Sequence, residues 1–239
     1  MTVSVSKDPA RIARMFDAIA RRYDTLNHLL SAGFDRRWRR RAVTALGFTG
    51  RERVLDMCTG TGDLAIEAVT SRAGQAAEVV GADFSSEMLH LAAGKVQRAA
   101  LDGRIRLLRG DATSVPFADG TFDAAMVAFG IRNVLDPDAA CREFHRVLRP
   151  GGRLAILEFG APRLPGLRTL YLSYFRYVLP AVGRLVSKHQ DAYEYLPASV
   201  MAFPTGEAFA GRLRDAGFST ATFRRLTGGI VYLYVAVKD

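Results

Sequence analysis

Cysteine is nearly missing from this chain: Cys58 and Cys141 are the only two, and they form no C-x-x-C pair. That excludes a disulfide framework and makes the reducing cytoplasm the expected location. Histidine is sparse too. His28, His90, His145 and His189 are scattered without metal-ligand spacing, so no metal is expected. No run of about 18 apolar residues occurs, and no segment is expected to span a bilayer. Met1 to Lys7 lacks an apolar core ahead of a cleavage site, so no signal peptide is expected. Acidic residues are scarce at the start. Residues 1–51 hold eleven Lys and Arg against four Asp, an excess of seven within a net charge of +9. Arg163 to Lys188 adds five cations among aromatics and no acid. Patches like these attract nucleic acid or anionic lipid, or form solvated faces.

Apolar residues make up 49% of the 239, enough for one α/β domain with additions. The most informative stretch is Val54 to Leu64. Strand-forming Val54, Leu55 and Met57 run into a glycine turn, and Leu64, Ala65, Ala68 and Val69 follow at helical spacing. Gly60 and Gly62 have no Cβ, so the chain can turn sharply and a ligand can approach its N–H groups. Such a strand–turn–helix holds an adenosine-containing cofactor. The same residues fit the dinucleotide fingerprint of hydride-transfer enzymes, with Asp83 about 20 residues on. Four features discriminate. Asp56 is placed to orient an amino-acid ammonium, and Asp83 ends a second strand (78–83), where it can take both ribose hydroxyls. Asp111, after a third strand, can accept from an adenine amino group, and Phe122 to Val127 and Leu148 to Arg153 mark a fourth strand and the turn before a fifth. This succession resembles class I S-adenosylmethionine-dependent methyltransferases, whose cofactor has no phosphate to cradle.

Helical spacing predicts N-terminal helices with a break near Asp24, and a third helix from Asp35 to Leu46 stopped by Gly47. Strands at 53–57, 77–83, 104–109, 122–127 and 152–158 then alternate with helices at 62–72, 85–101 and 137–148. Alternation means a parallel sheet with helices on both faces. Phe218 to Leu226 and Ile230 to Val237 predict a closing hairpin. The expected fold is therefore α/β: a seven-stranded Rossmann-like sheet with an antiparallel C-terminal strand, N-terminal helices and a helical insertion. As one domain, it divides into a helical cap (1–50), a cofactor-binding core (51–159), an insertion or lid (160–204), and a terminal helix with hairpin (205–239). Within the insertion, Leu167, Leu170, Tyr171, Tyr174, Phe175, Val178, Leu179 and Val182 predict an amphipathic helix kinked at Pro180. It reads as a helix packed on the core, a lid over a greasy substrate, or an interfacial helix on a bilayer.

Two segments are more specific. Tyr23 to Ser31 with Phe34 to Trp38, and Arg146 to Arg153 through Phe159, resemble the two signatures of the ubiquinone/menaquinone biosynthesis C-methyltransferases. Phe129 to Val134, and Tyr195 to Val200 through Pro204, are similar to further motifs of that family. The resemblance covers essentially the whole chain. It implies methyl transfer from S-adenosylmethionine to a ring carbon of a polyprenylated quinol, either demethylmenaquinol or a 2-methoxy-6-polyprenyl-1,4-benzoquinol. It also implies cofactor contacts at Thr61, Asp83, Asp111 and Ala112, beside Asp56, Gly60 and Gly62. Ala128 stands where members that make both quinones often carry serine, which favours demethylmenaquinol. The last strand departs from the histidine-containing ending of the enterobacterial type.

A quinol carbon becomes nucleophilic when the neighbouring hydroxyl loses its proton, and a cation beside that oxygen lowers its pKa. Arg132, in the loop after the fourth strand, is expected to supply that cation, and Asn133 to orient the same oxygen. Tyr23 is expected to donate to a substrate oxygen or to cap a helix. Competing readings are an RNA methyltransferase, supported by the basic N-terminus but lacking an Asn/Asp-Pro-Pro-Tyr tetrapeptide, and O-methylation of a small phenol. The expected partners are the quinol and, by peripheral contact, the inner face of the membrane, with a homodimer left open and no nucleic acid.

Overall fold

Alternating strand and helix patterns close into one seven-stranded sheet. The computed structural model describes residues 8–72, 74–162, 165–178 and 190–239, with side chains 9, 19, 21–23, 25–27, 29–30, 178 and 190–194 outside that description. Helices α1 (Pro9–Leu30) and α2 (Phe34–Leu46) precede β1 (Arg53–Met57), α3 (Asp63–Thr70), β2 (Glu78–Asp83) and α4 (Ser86–Arg98). Then come β3 (Ile105–Arg109), β4 (Phe122–Ala128), α5 (Pro137–Val147) and β5 (Leu148–Phe159). The chain continues with α6 (Pro165–Ser173), α7 (Gln190–Ala202), α8 (Glu207–Asp215), β6 (Thr220–Leu226) and β7 (Val231–Val237). The strand order is β3-β2-β1-β4-β5-β7-β6. Strands β1 to β5 pair in parallel, and β7 runs antiparallel to both β5 and β6.

Side chains alternate across the sheet, so each strand feeds two cores. Leu55, Met57, Val127, Ile156, Tyr232 and Tyr234 pack with Phe144 of α5 and Phe209 of α8 on one face. Val54, Met126, Leu157 and Leu233 pack with Trp38 and Leu46 of α2 and Leu64 of α3 on the other. Each fully buried Leu, Met or Phe contributes about 1.5–3 kcal/mol, and the two layers fix the strand ends as a rigid platform.

Three elements differ from the sequence reading. Helix α1 runs unbroken through Asp24, because no Gly or Pro lies between residues 10 and 32 and the carboxylate is held by Lys95 at 2.5 Å. Strand β5 begins earlier, at Leu148. Phe122 faces Leu148 while Ala124 faces Arg153, so residues 149–152 bulge within the strand rather than turn ahead of it. The insertion helix stops at Ser173 and continues as a π-turn over Tyr174–Val178. The kink expected at Pro180 lies outside the described residues.

Candidate active site

The carboxyl ends of β1 to β4 surround a cavity of about 380 Å³, in the range of small-molecule sites. Strand β1 delivers Cys58 and Gly60, β2 delivers Asp83, β3 leads to Gly110, Asp111 and Ala112, and β4 leads to Phe129, Gly130 and Asn133. Ile12, Ala13 and Phe16 of α1 close it from outside the sheet. Cys58 and Phe129, at the ends of β1 and β4, hold left-handed conformations, with φ of 57° and 61°, costly for residues with a Cβ. Gly130 is required by this approach. A Cβ there would lie 2.3 Å from the Cβ of Cys58. Gly60 has the opposite role: its φ is 57°, and a Cβ would meet no atom of the described residues within 4 Å. Its missing side chain leaves that space to a ligand.

Asp83 is held by two backbone donors, Gly60 N–H to Oδ2 at 2.8 Å and Ser85 N–H to Oδ1 at 2.9 Å. A carboxylate has about four acceptor positions, so acceptor capacity remains for a ligand hydroxyl. Burial pushes its pKa above the usual carboxylate value, against those donors. Ser85 caps α4 by accepting from Met88 N–H at 3.1 Å, and its hydroxyl donates to Asp17 of α1. Asp111 lies exposed at the rim, where Oδ1 accepts from the N–H and hydroxyl of Thr113, both at 2.9 Å. Phe84, Met88, Ala112, Val134 and Leu135 add apolar wall, suited to a flat base. An adenosine-bearing methyl donor fits this set: an open backbone turn, a pre-oriented acid, and an apolar slot.

Asp56, Thr61 and Gly62, expected at the cofactor, are absent from this wall. Asp56 is fully buried and accepts from Thr59 Oγ1 at 2.6 Å. Burial first, and then the charge of Asp83, push its carboxyl up to about 7. Thr61 donates to Asp24 Oδ1 at 2.5 Å and accepts from Lys95 at 2.9 Å, which ties α1 to the glycine turn. Gly62, at φ 83°, caps α3, and a Cβ there would crowd Ala92 at 3.3 Å.

Arg132 and Asn133 sit on a short 3₁₀ turn after β4. Only Asn133 reaches the cavity wall. Arg132 is buried and pairs with Glu158 at 2.8 Å, and Glu158 Oε2 also accepts the Arg132 backbone N–H at 3.2 Å. Its Nη1 donates to Phe129 O, its Nε donates to Ser199 Oγ at 3.3 Å, and its guanidinium lies 5.4 Å from the Phe159 ring. The charge expected beside a substrate oxygen is already met by Glu158. The side chain of Tyr23 lies outside the described residues. Sequence reasoning missed Glu158, Tyr195 and Ser199 as partners of this turn. Glu158 carried a signal, an acid closing the apolar run Leu154 to Leu157.

Among the described residues, part of the basic N-terminal segment is paired with acids. Trp38 is buried edge-on against the stacked rings of Phe129 and Phe159 and donates to Thr227 Oγ1 at 2.9 Å. Arg39 pairs with Asp35 and Asp63, and Arg40 with Glu67. Arg36 and Arg37 remain exposed. On α6 and its π-turn, Tyr171 faces inward while Leu170, Leu172 and Tyr177 are exposed beside Arg168 and Arg176. Among the described residues no helix is long and apolar enough to cross a membrane, and no cluster of metal-ligating side chains occurs.

Comparison with known proteins gives concordant results. The pattern of the ubiE/COQ5 methyltransferase family matches residues 3–238. The ubiquinone/menaquinone biosynthesis C-methyltransferase UbiE of Geobacter sp. (strain M21) is 47% identical, over 98% of this chain and 99% of its own length. The demethylmenaquinone methyltransferase of Mycolicibacterium vanbaalenii is 46% identical, over 98% of each. Among solved structures, a SAM-dependent methyltransferase from Thermotoga maritima, described as a possible histamine N-methyltransferase, superposes with a TM-score of 0.66 at 20% identity. It covers 95% of this chain and 100% of its own, a likeness of fold alone.

Proposed function

The chain belongs to the ubiE/COQ5 methyltransferase family and is an S-adenosylmethionine-dependent methyltransferase of quinone biosynthesis; on that premise we propose that it C-methylates a polyprenylated quinol, converting demethylmenaquinol to menaquinol. The match along nearly the entire chain to proteins named for this reaction carries the reading. The benzoquinol of the ubiquinone route is the second substrate to consider. The small Ala128 in the cavity wall supports the naphthoquinol. The test is which ring, and which atom of it, gains the methyl.

When bound, S-adenosylmethionine supplies a methyl on a sulfonium, and the ring carbon that takes it releases a proton. Charge is annihilated in that transfer, so a dry wall and fixed approach favour it. Ile12 and Phe16 of α1 supply the dry cover. Asp83 receives the two ribose hydroxyls, Gly60 opens its backbone to the methionine portion, and Asp111 with Ala112 borders the adenine. Asp56 and Thr61 serve from behind, one bracing the glycine turn through Thr59 and the other holding α1 through Asp24. Asn133 donates to the ring oxygen. Arg132, with its charge met by Glu158, is a positioning residue that fixes the turn carrying Asn133.

Substrate reaches the site from a lipid surface. Each CH₂ of the prenyl tail buried in a bilayer is worth about 0.8 kcal/mol, so full extraction is prohibitive. Exposed Leu170, Leu172 and Tyr177 with Arg168 and Arg176 suit peripheral contact with anionic headgroups. The exposed Arg36 and Arg37 of α2 add two further cations that suit the same headgroups. Trp38 of α2 bonds Thr227, and Leu167 of α6 lies 2.4 Å from where a Cβ on Gly228 would stand.

A further inference from the structure

Helix α7 carries two hydroxyls one turn apart, and each grips one residue of the 3₁₀ turn after β4. Tyr195 donates to Asn133 Oδ1 at 3.1 Å, and Ser199 accepts from Arg132 Nε at 3.3 Å. Both are buried, at 9% and 3% exposure. Ser199 also donates to Leu196 O at 3.0 Å, which fixes its lone pairs toward Arg132. A primary amide has one acceptor end and one donor end, and rotation by half a turn exchanges them. The carbonyl of Phe129, which can only accept, breaks that symmetry by taking the NH₂ end, and the Tyr195 hydroxyl, able to donate or accept, completes the arrangement as the donor to Oδ1. With Oδ1 taken, the NH₂ of Asn133 is the end left to the cavity, held among the described residues by a long contact to Phe129 O at 3.5 Å. We infer that Tyr195 is a positioning residue that, together with the Phe129 carbonyl, holds the Asn133 amide as a hydrogen-bond donor, so that the site favours a substrate oxygen in its deprotonated form.

This inference rests on the quinol reading above and assigns its polarity. A donor aimed at the oxygen stabilises the phenolate from which the ring carbon draws its electron density. A flipped amide would present a carbonyl to that phenolate and repel it.

The experiment uses the full-length protein with a short-tailed demethylmenaquinol under anaerobic reduction. Tyr195→Phe keeps the ring and removes the hydroxyl. It should lower kcat by about three- to tenfold while leaving S-adenosylmethionine affinity and the melting temperature near wild type. In an Asn133→Ala background the same change should cost nothing further, since its effect runs through the amide. Asn133→Asp keeps an acceptor for Tyr195 but loses the donor, and should reduce kcat at least as much as Tyr195→Phe. Equal losses from Tyr195→Phe in both backgrounds, or an Asn133→Asp enzyme as fast as wild type, would overturn the inference. Failure of the wild-type enzyme to methylate the quinol at all would overturn the functional reading instead.

Discussion

Arg132 and Glu158 form an ion pair sealed from water: Nη1 stands 2.8 Å from Oε1, with the side chains 6% and 0% exposed. They join the turn that carries Asn133, just after β4, to the end of β5.

Removing one partner strands the other charge in the interior. Arg132→Ala should cost about 3–5 kcal/mol of stability, read as a lower urea midpoint, and activity should fall with it. Pairing Arg132→Met with Glu158→Leu should restore most of the midpoint without restoring turnover. An Arg132→Ala protein with a wild-type midpoint would show that the pair does not organise this turn.

Asp83 gives the second prediction. Charge-assisted bonds to two ribose hydroxyls contribute about 1.5–3 kcal/mol each. Asp83→Asn should weaken S-adenosylmethionine binding tenfold or more in calorimetry. Unchanged affinity would remove Asp83 from the cofactor site.

The alternation of strands was legible in the sequence because the side-chain period of two is local, and the glycine turn after Asp56 stood out for the same reason. Pairings across the sheet were not. The partner of Asn133 is Tyr195 and that of Arg132 is Glu158, and no spacing rule links such distant positions. Trp38 stands among arginines in the sequence, yet the indole is buried because β4 and β5 bring Phe129 and Phe159 to it. The break expected at Asp24 failed because a charged residue inside a helix can be satisfied by a distant lysine, here Lys95.

Asp56 predicts a pH dependence. Its carboxyl is pushed up to about 7 in the folded protein by burial and by Asp83, against about 3.9 in an unfolded chain. Between those values the folded state holds a proton that the unfolded state has lost. The stability from this group is therefore complete below about pH 4 and lost as pH rises toward 7, with a slope of up to about 1.4 kcal/mol per pH unit. Urea melts across that range should flatten in Asp56→Asn relative to wild type. Identical slopes in the two proteins would contradict it.

Docking to lipid should depend on the exposed groups only. Leu170→Asp with Tyr177→Asp, or Arg36, Arg37, Arg168 and Arg176 changed to Ser, should reduce co-sedimentation with anionic vesicles. Activity on long-tailed quinols should fall more than on a tailless analogue. Raising salt should release the wild-type protein, since headgroup attraction is screened within a Debye length of about 8–10 Å. Equal losses on both substrates would place these residues in folding or catalysis rather than docking.

The central claim is tested most directly by giving the purified protein S-adenosylmethionine with demethylmenaquinol and the methoxy-benzoquinol side by side, and identifying the products by NMR. The expected result is a new methyl on a ring carbon of the naphthoquinol, formed faster than any on the benzoquinol. Comparable rates on both rings would strip Ala128 of its meaning. A methyl on oxygen, or no transfer to either quinol by a protein that binds S-adenosylmethionine, would contradict the account.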